Sequence, residues 1–151
     1  MKIVKKRKSV PDSDEKNTAL LETGDFLRLP LLPPGSRSQF KISILIPCYN
    51  EEKSIRQCVD SCLAQTRRPD EIIVVDDCSI DASPEILASY GGQIKVVKTP
   101  KNSGNKSRAQ EYGLGYVSGD IFIATDGDTF LEKDFVERIE KDFSVRIKSV
   151  K

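Results

Sequence analysis

From residue 41 onward, short apolar runs alternate with helical stripes, and this alternation limits the possible fold more than any other feature of the sequence. Four runs have the length and β-branched composition of buried strands: 42–47, 71–76, 94–97 and 120–125. Between them, apolar residues recur at helical spacing, as at Ile55, Cys58, Val59, Cys62 and Leu63. Alternating strands and helices predict an α/β fold, with a Rossmann-like parallel sheet that carries helices on both faces.

The first forty residues differ in composition from the rest and are predicted to form a flexible tail or linker, 1–40. A basic run near the start precedes a polar, acidic stretch, and the Pro-rich segment 29–35 neither continues a helix nor alternates like a strand. The regular pattern predicts one domain over 41–143, whose last helix runs from about 131 to 143. Residues 144–151 are predicted to form a C-terminal tail.

Charge and composition exclude several classes of function. Lys and Arg number 24 against 23 Asp and Glu, so the net charge of +1 lacks the basic field of a nucleic-acid-binding protein. The absence of His excludes His-ligated zinc and catalysis by Ser-His-Asp or Cys-His groups. The four Cys lack metal-binding spacing, and no apolar run reaches the roughly 18 residues of a membrane span. We therefore expect a cytoplasmic protein with reduced thiols, with peripheral contact to the inner face of the membrane as an alternative.

Polar residues follow each predicted strand. The first strand leads into 47–52, the second into Asp76 and Asp77, the third into 101–106 and the fourth into 126–128. Because ligands bind outside the carboxyl ends of the strands in such sheets, we expect these four clusters to converge on one edge.

The Asp126-Gly127-Asp128 sequence is the sharpest of these clusters. Two carboxylates at a strand end suit a hard divalent cation, and without His or a thiolate cluster the metal predicted is Mg²⁺ or Mn²⁺. Gly127 would permit a tight turn and the approach of a phosphate. The alternative is an Asp-Gly turn that caps the following helix.

Four further side chains are candidates for ligand binding. Asp77 can accept hydrogen bonds from a ring N–H or a sugar hydroxyl, and Arg108 can act as a planar donor or stack on a base. Tyr49 can pack flat against a base, and Lys106 can face phosphate. Each also has a purely structural alternative, namely a turn or cap for Asp77, a solvated side chain for Arg108 and Lys106, and a partly buried ring for Tyr49.

Taken together, residues 41–143 resemble the first half of a family 2 glycosyltransferase with the nucleotide-sugar-binding GT-A fold. Four segments in matching order and spacing carry the resemblance: 44–52, 71–81, 102–109 and 119–128. The patterns at 102–106 and 128–134 are most similar to the branch that makes β-linked polysaccharides such as poly-N-acetylglucosamine, chitin or hyaluronan.

The resemblance implies a role for each candidate residue. The nucleotide-sugar site would comprise Pro47, Tyr49, Glu51, Asp77, Lys106, Arg108 and Asp126, and the Mn²⁺ or Mg²⁺ site Asp126 and Asp128. Within this set, Asp77 would bind the base with Arg108 in support. Members of this family invert the configuration at the anomeric carbon, and this requires a general base that deprotonates the acceptor hydroxyl. No residue of the chain is predicted to be that base, which we expect beyond residue 151.

The expected partners follow from the same resemblance. The donor would be a UDP-sugar, with GDP-mannose as a further candidate, and the acceptor a saccharide or a lipid-linked molecule. A membrane-anchored partner or a missing C-terminal half would complete the enzyme. Two alternatives remain: a non-catalytic nucleotide-binding or interaction module, and a haloacid-dehalogenase-like phosphatase with Asp126 as nucleophile. Phe130, where that motif has Thr or Val, argues against the phosphatase.

Overall fold

The predicted apolar runs form the parallel strands of a single sheet. They are β2 (Ile42–Cys48), β3 (Glu71–Asp76), β4 (Lys95–Lys98) and β5 (Ile121–Ala124). The structure, a computed structural model, describes residues 2–5 and 40–148, with side chains over 40–144. A further strand, β1 (Lys2–Lys5), pairs antiparallel with β5, which gives the order β1-β5-β2-β3-β4.

Helices cover both faces of this sheet, as predicted. They are α1 (Ile55–Leu63), α2 (Ser83–Ala88), α3 (Lys106–Leu114) and α4 (Phe135–Lys148), with a 3₁₀ turn at Gly91–Gln93. The larger apolar core contains the buried residues of α1, α2 and α4, and the smaller one those of α3. The prediction of a Rossmann-like sheet with two helical layers is therefore confirmed.

The central strand β2 contributes to both cores because every one of its residues is buried. Ile44 and Ile46 belong to the core beneath α1 and α4, whereas Leu45 belongs to the core beneath α3. This is the uninterrupted apolar character expected of a strand inside a parallel sheet. The predicted stripe on α1 is also confirmed, since Cys58 and Cys62 are fully buried.

The structure differs from the predicted boundaries at both ends of the domain. Lys2–Lys5 lies in the sheet and Phe40 is buried against the ring of Phe143, with 6.4 Å between ring centroids, although both lie in the predicted tail. The remainder of that prediction, over 6–39, lies outside the described residues. At the other end, α4 begins later than predicted and continues through 144–148, which were predicted as a C-terminal tail.

The four parallel strands end at one edge of the sheet. Cys48 at the end of β2 lies beside Asp76 at the end of β3, which in turn lies beside Lys98 at the end of β4. The loops that follow these strands therefore emerge side by side. Among the described residues, no helix is long and apolar enough to cross a bilayer.

Candidate functional site

A cleft of about 320 Å³ lies at the carboxyl ends of the parallel strands. Seven of the eight predicted site residues line it: Pro47, Tyr49, Glu51, Asp77, Lys106, Asp126 and Asp128. The wall is completed by Cys48, Asn102, Gly104, Asn105, Ala109 and Gly127. The predicted convergence of the strand-end clusters is thus found in the structure. Arg108 is the predicted residue that does not line the cleft.

One side of the cleft is built from the loops after β2 and β3, which hydrogen-bond to each other. Asn50 donates its backbone N–H to Ser79 Oγ (3.0 Å) and accepts the backbone N–H of Ile80 on Oδ1 (2.9 Å). Asn50 has a φ of 55°, a left-handed conformation that Asn tolerates better than most residues. This cross-link fixes the backbone beside Tyr49, whose side chain remains 48% exposed at the cleft.

Asp77 lies on the cleft wall, but its carboxylate is already engaged by the loop after β4. It accepts hydrogen bonds from Thr99 Oγ1 (2.7 Å), Ser103 Oγ (2.7 Å) and the backbone N–H of Ser103 (2.9 Å). Burial alone would raise the pKa of Asp77, but the hydrogen bonds from Ser103 and Thr99 outweigh it and hold the pKa below its ordinary value. Asp77 therefore stays ionised and fixes the loop that forms the opposite wall.

The opposite wall, formed by residues 102–106, depends on two asparagines to which the sequence alone assigned no role. Asn102 donates to the Asp77 carbonyl (3.1 Å) and accepts the backbone N–H of Gly104 (2.8 Å), whose φ is 76°. Asn105 caps α3 by accepting the backbone N–H of Arg108 (3.0 Å). The usable signal was an Asn directly before a helical stripe, which is a common N-cap.

Arg108 is exposed in the first turn of α3, and its guanidinium reaches the Ser103 carbonyl at 3.5 Å. The structure places it next to the loop that forms the cleft wall but outside the lining. Support of a base by Arg108 stays a prediction.

The Asp126-Gly127-Asp128 turn forms the floor of the cleft. Asp126 is partly exposed and forms an ion pair with Lys106, and Asp128 is exposed. The predicted tight turn is present, since the Thr129 backbone N–H donates to the Asp126 carbonyl at 3.0 Å, although Gly127 does not have a positive φ. A Cβ at this position would lie 3.2 Å from Glu51 Cγ and 3.3 Å from the Pro47 carbonyl, so a larger residue would require these neighbours to shift by a few tenths of an ångström.

The charges that line the cleft are strongly unbalanced. Four carboxylates, those of Glu51, Asp77, Asp126 and Asp128, face the single ammonium of Lys106. Such a cleft repels a phosphorylated ligand unless a cation accompanies it.

Asp126 and Asp128 suit a divalent cation that takes its other ligands from phosphate oxygens, because such ions are commonly held by one or two carboxylates plus phosphates. Within residues 40–144, no three carboxylate or thiol groups form a complete metal cage. Burial is the main cause that raises the pKa of the Cys48 thiol to about 11, so this cleft-lining thiol is a poor metal ligand. The four cysteines are free.

Comparison with known proteins agrees with this geometry. The model of glycosyl transferase family 2 matches residues 43–145. The chain belongs to glycosyl transferase family 2. An uncharacterized glycosyltransferase of Rickettsia typhi is 41% identical over 81 residues, which are 54% of this chain and 25% of that protein.

Two solved structures extend the comparison. TarS of S. aureus in complex with UDP superimposes with a TM-score of 0.63 and 28% identity, over 67% of this chain and 31% of that one. A mannosyltransferase of Pyrobaculum calidifontis in complex with GDP-Man and Mn²⁺ superimposes with a TM-score of 0.55 and 26% identity, over 71% and 33%. The predicted GT-A fold is confirmed, and the chain spans between a quarter and a third of these relatives.

Proposed function

We propose that this chain binds a nucleoside-diphosphate sugar together with Mn²⁺ or Mg²⁺ in the cleft, as the donor-binding part of an inverting glycosyltransferase. The observation that carries the proposal is the convergence of Tyr49, Lys106 and the two aspartates of the 126–128 turn on one cleft at the strand ends. An exposed aromatic ring, an ammonium and a carboxylate pair are the groups needed for a base, a phosphate and a cation.

The cation would be held by Asp126 and Asp128. When bound, it would neutralise the charge on the departing nucleoside diphosphate, which is otherwise unfavourable beside four carboxylates. Lys106 would move from Asp126 to a phosphate oxygen. The nucleoside would be surrounded by Pro47, Tyr49, Glu51 and Asp77. Support of the base by Arg108 belongs to the same proposal.

The choice of donor rests on the relatives. The TarS structure holds UDP and the mannosyltransferase structure holds GDP-Man, so a UDP-sugar is proposed first and GDP-mannose second. The proposed acceptor is a saccharide or lipid-linked hydroxyl, deprotonated by a base from outside residues 1–151. The family assignment leaves the phosphatase alternative without support.

Calorimetry with UDP tests the proposal. With Mn²⁺ present, UDP should bind the chain, and Asp128→Asn should weaken the metal-dependent binding by more than about tenfold. Asp134→Asn is the matched control, because Asp134 is exposed on the same segment and its carboxylate pairs with Arg138 instead. No UDP binding at millimolar concentration, or equal binding by Asp128→Asn, would contradict the proposal. A parallel titration with GDP shows whether the chain binds the uracil or the guanine nucleotide more tightly.

Sugar transfer separates an enzyme from a non-catalytic module. We expect no transfer from the chain alone, and transfer once a segment that supplies the acceptor site and the base is added. Metal-dependent nucleotide binding without transfer in either case would favour the binding module.

A further inference from the structure

The segment that follows β5 is held in place by side chains of a different element. Residues 125–134 form neither helix nor strand, so their backbone groups lack a regular hydrogen-bond ladder. Three residues of α1 and its C-terminal extension supply the missing partners, namely Cys58, Ser61 and Gln65, which we call the α1 support residues. Cys58 and Ser61 lie at i and i+3 and share one side of the helix, and Gln65 follows two residues after its last residue, Leu63.

Each α1 support residue bonds to a different point of the segment. Cys58 Sγ donates to the Asp126 carbonyl at 3.3 Å, and Ser61 Oγ accepts the backbone N–H of Leu131 at 3.0 Å. Gln65 donates to the Glu132 carbonyl at 2.7 Å and accepts the backbone N–H of Val136 at 3.0 Å. The first of these bonds is made to the backbone of a proposed metal-binding residue.

The burial of these groups makes the contacts hard to replace with water. Cys58 is fully buried and Gln65 is only 4% exposed. Loss of the Gln65 amide would remove the partner of the buried Val136 N–H, which is more costly than the loss of an exposed contact.

We propose that Cys58, Ser61 and Gln65 are positioning residues, which fix the direction of the Asp126 and Asp128 carboxylates by holding the backbone of 126–136 against α1. The inference rests on the proposed metal-dependent binding of a nucleotide. It differs from a general stabilising role, because the affected property is the affinity for the cation rather than the integrity of the whole fold.

Ser61 offers a matched pair of variants. Ser61 Oγ also donates to the Cys58 carbonyl three residues back (2.7 Å), a bond that Thr in a helix makes as well. Ser61→Ala removes the hydroxyl and Ser61→Thr keeps it. Gln65→Met removes the amide and keeps a side chain of similar length. If Gln65→Met does not fold, Ser61→Ala still tests the positioning role.

The control removes a buried hydroxyl at the opposite edge of the sheet. Ser43 is fully buried, and its Oγ donates to Glu71 and accepts the backbone N–H of Gly119 (3.0 Å), away from the cleft. Ser43→Ala should therefore lower stability without changing the metal site.

The experiment measures Mn²⁺ affinity of the full chain by electron paramagnetic resonance with UDP saturating, and the free energy of unfolding without ligands by urea titration. We expect Ser61→Ala and Gln65→Met to weaken Mn²⁺ binding by about tenfold, and Ser61→Thr and Ser43→Ala to stay within about twofold of wild type. Ser43→Ala should lower the free energy of unfolding without this loss of metal affinity.

Two results overturn the inference, and they are distinguishable. In the first, wild type binds UDP and Mn²⁺, but Ser61→Ala and Gln65→Met bind Mn²⁺ as tightly as wild type or as tightly as Ser43→Ala. Only the positioning role then fails. If wild type binds neither UDP nor Mn²⁺, the proposed function fails and the positioning role fails with it.

Discussion

At the scale of single residues, Lys106 occupies the position beside Asp126 that the proposed function gives to a cation. Its ammonium forms an ion pair with the Asp126 carboxylate, and both side chains are partly exposed, at 48% and 39%. A lysine can neutralise one carboxylate, but it must leave before a divalent ion binds there. Under the proposed function, Lys106 would compete with the metal when no nucleotide is present and would assist binding once a phosphate is available.

Lys106→Met should consequently have opposite effects on two ligands. Mn²⁺ affinity without nucleotide should rise by about twofold to fivefold, the range expected from an exposed ion pair, whereas UDP affinity with Mn²⁺ should fall. Both are measured by calorimetry. Lys101→Met is the control, because Lys101 is exposed on the same loop but does not line the cleft. A parallel loss of both affinities in Lys106→Met would show that the lysine does not compete with the metal.

Glu71 is a partly buried carboxylate at the opposite edge of the sheet. It accepts hydrogen bonds from Ser43 Oγ (2.5 Å), the Ser118 backbone N–H (2.6 Å) and Ser118 Oγ (2.9 Å). Burial would raise the pKa of Glu71, but these bonds together hold it below the ordinary value of 4.5. A carboxyl with a depressed folded-state pKa contributes stability above its unfolded-state pKa and loses it as the pH falls through the folded-state value.

Glu71→Gln should therefore be less stable than wild type at pH 7, and the difference should shrink as the pH falls below about 4.5. Urea unfolding of both proteins at pH 7, 5 and 3.5 gives the two free energies of unfolding. A difference that stays constant over this range would mean that the Glu71 charge does not contribute to the stability.

At the scale of elements, α3 packs on the sheet through a glycine. A Cβ on Gly113 would lie 2.5 Å from Val75 Cγ2 and 2.6 Å from Leu45 Cδ1, and both of those side chains are fully buried. The close approach matters because Lys106 and Asn105 begin the same helix, so a shift of α3 moves one wall of the cleft.

Gly113→Ala should destabilise the fold by about 1–3 kcal/mol, because overpacking in the core outweighs the better helix propensity of Ala. Gly115→Ala at the end of the same helix should be close to neutral, since its Cβ would meet only the Tyr112 carbonyl at 3.5 Å. Thermal or urea unfolding of both variants checks this. Equal stability of the two would show that the sheet accommodates the extra methyl group.

At the scale of the whole molecule, local signals predicted the fold well. The run Glu71–Asp76 became a strand with the predicted bounds, because four consecutive apolar residues bounded by polar ones specify a buried strand by themselves. The convergence of 47–52, Asp77 and 126–128 followed from the direction of parallel strands alone.

What sequence reasoning missed depends on contacts between distant residues. The start of α4 was placed too early because Leu131 and Glu132 bond to Ser61 and Gln65, which no local pattern reveals. The strand Lys2–Lys5 pairs with β5 from the other end of the chain. The hydrogen bonds that Asp77 accepts from Thr99 and Ser103, in the loop after β4, were not predicted either.

The most direct test is a crystal structure of the chain with UDP and Mg²⁺. The proposed function predicts Mg²⁺ at about 2.0–2.1 Å from carboxylate oxygens of Asp126 or Asp128 and from the diphosphate, the base against Tyr49, and Lys106 turned from Asp126 to a phosphate. A nucleotide bound outside the cleft, or Mg²⁺ held without either aspartate, would contradict it.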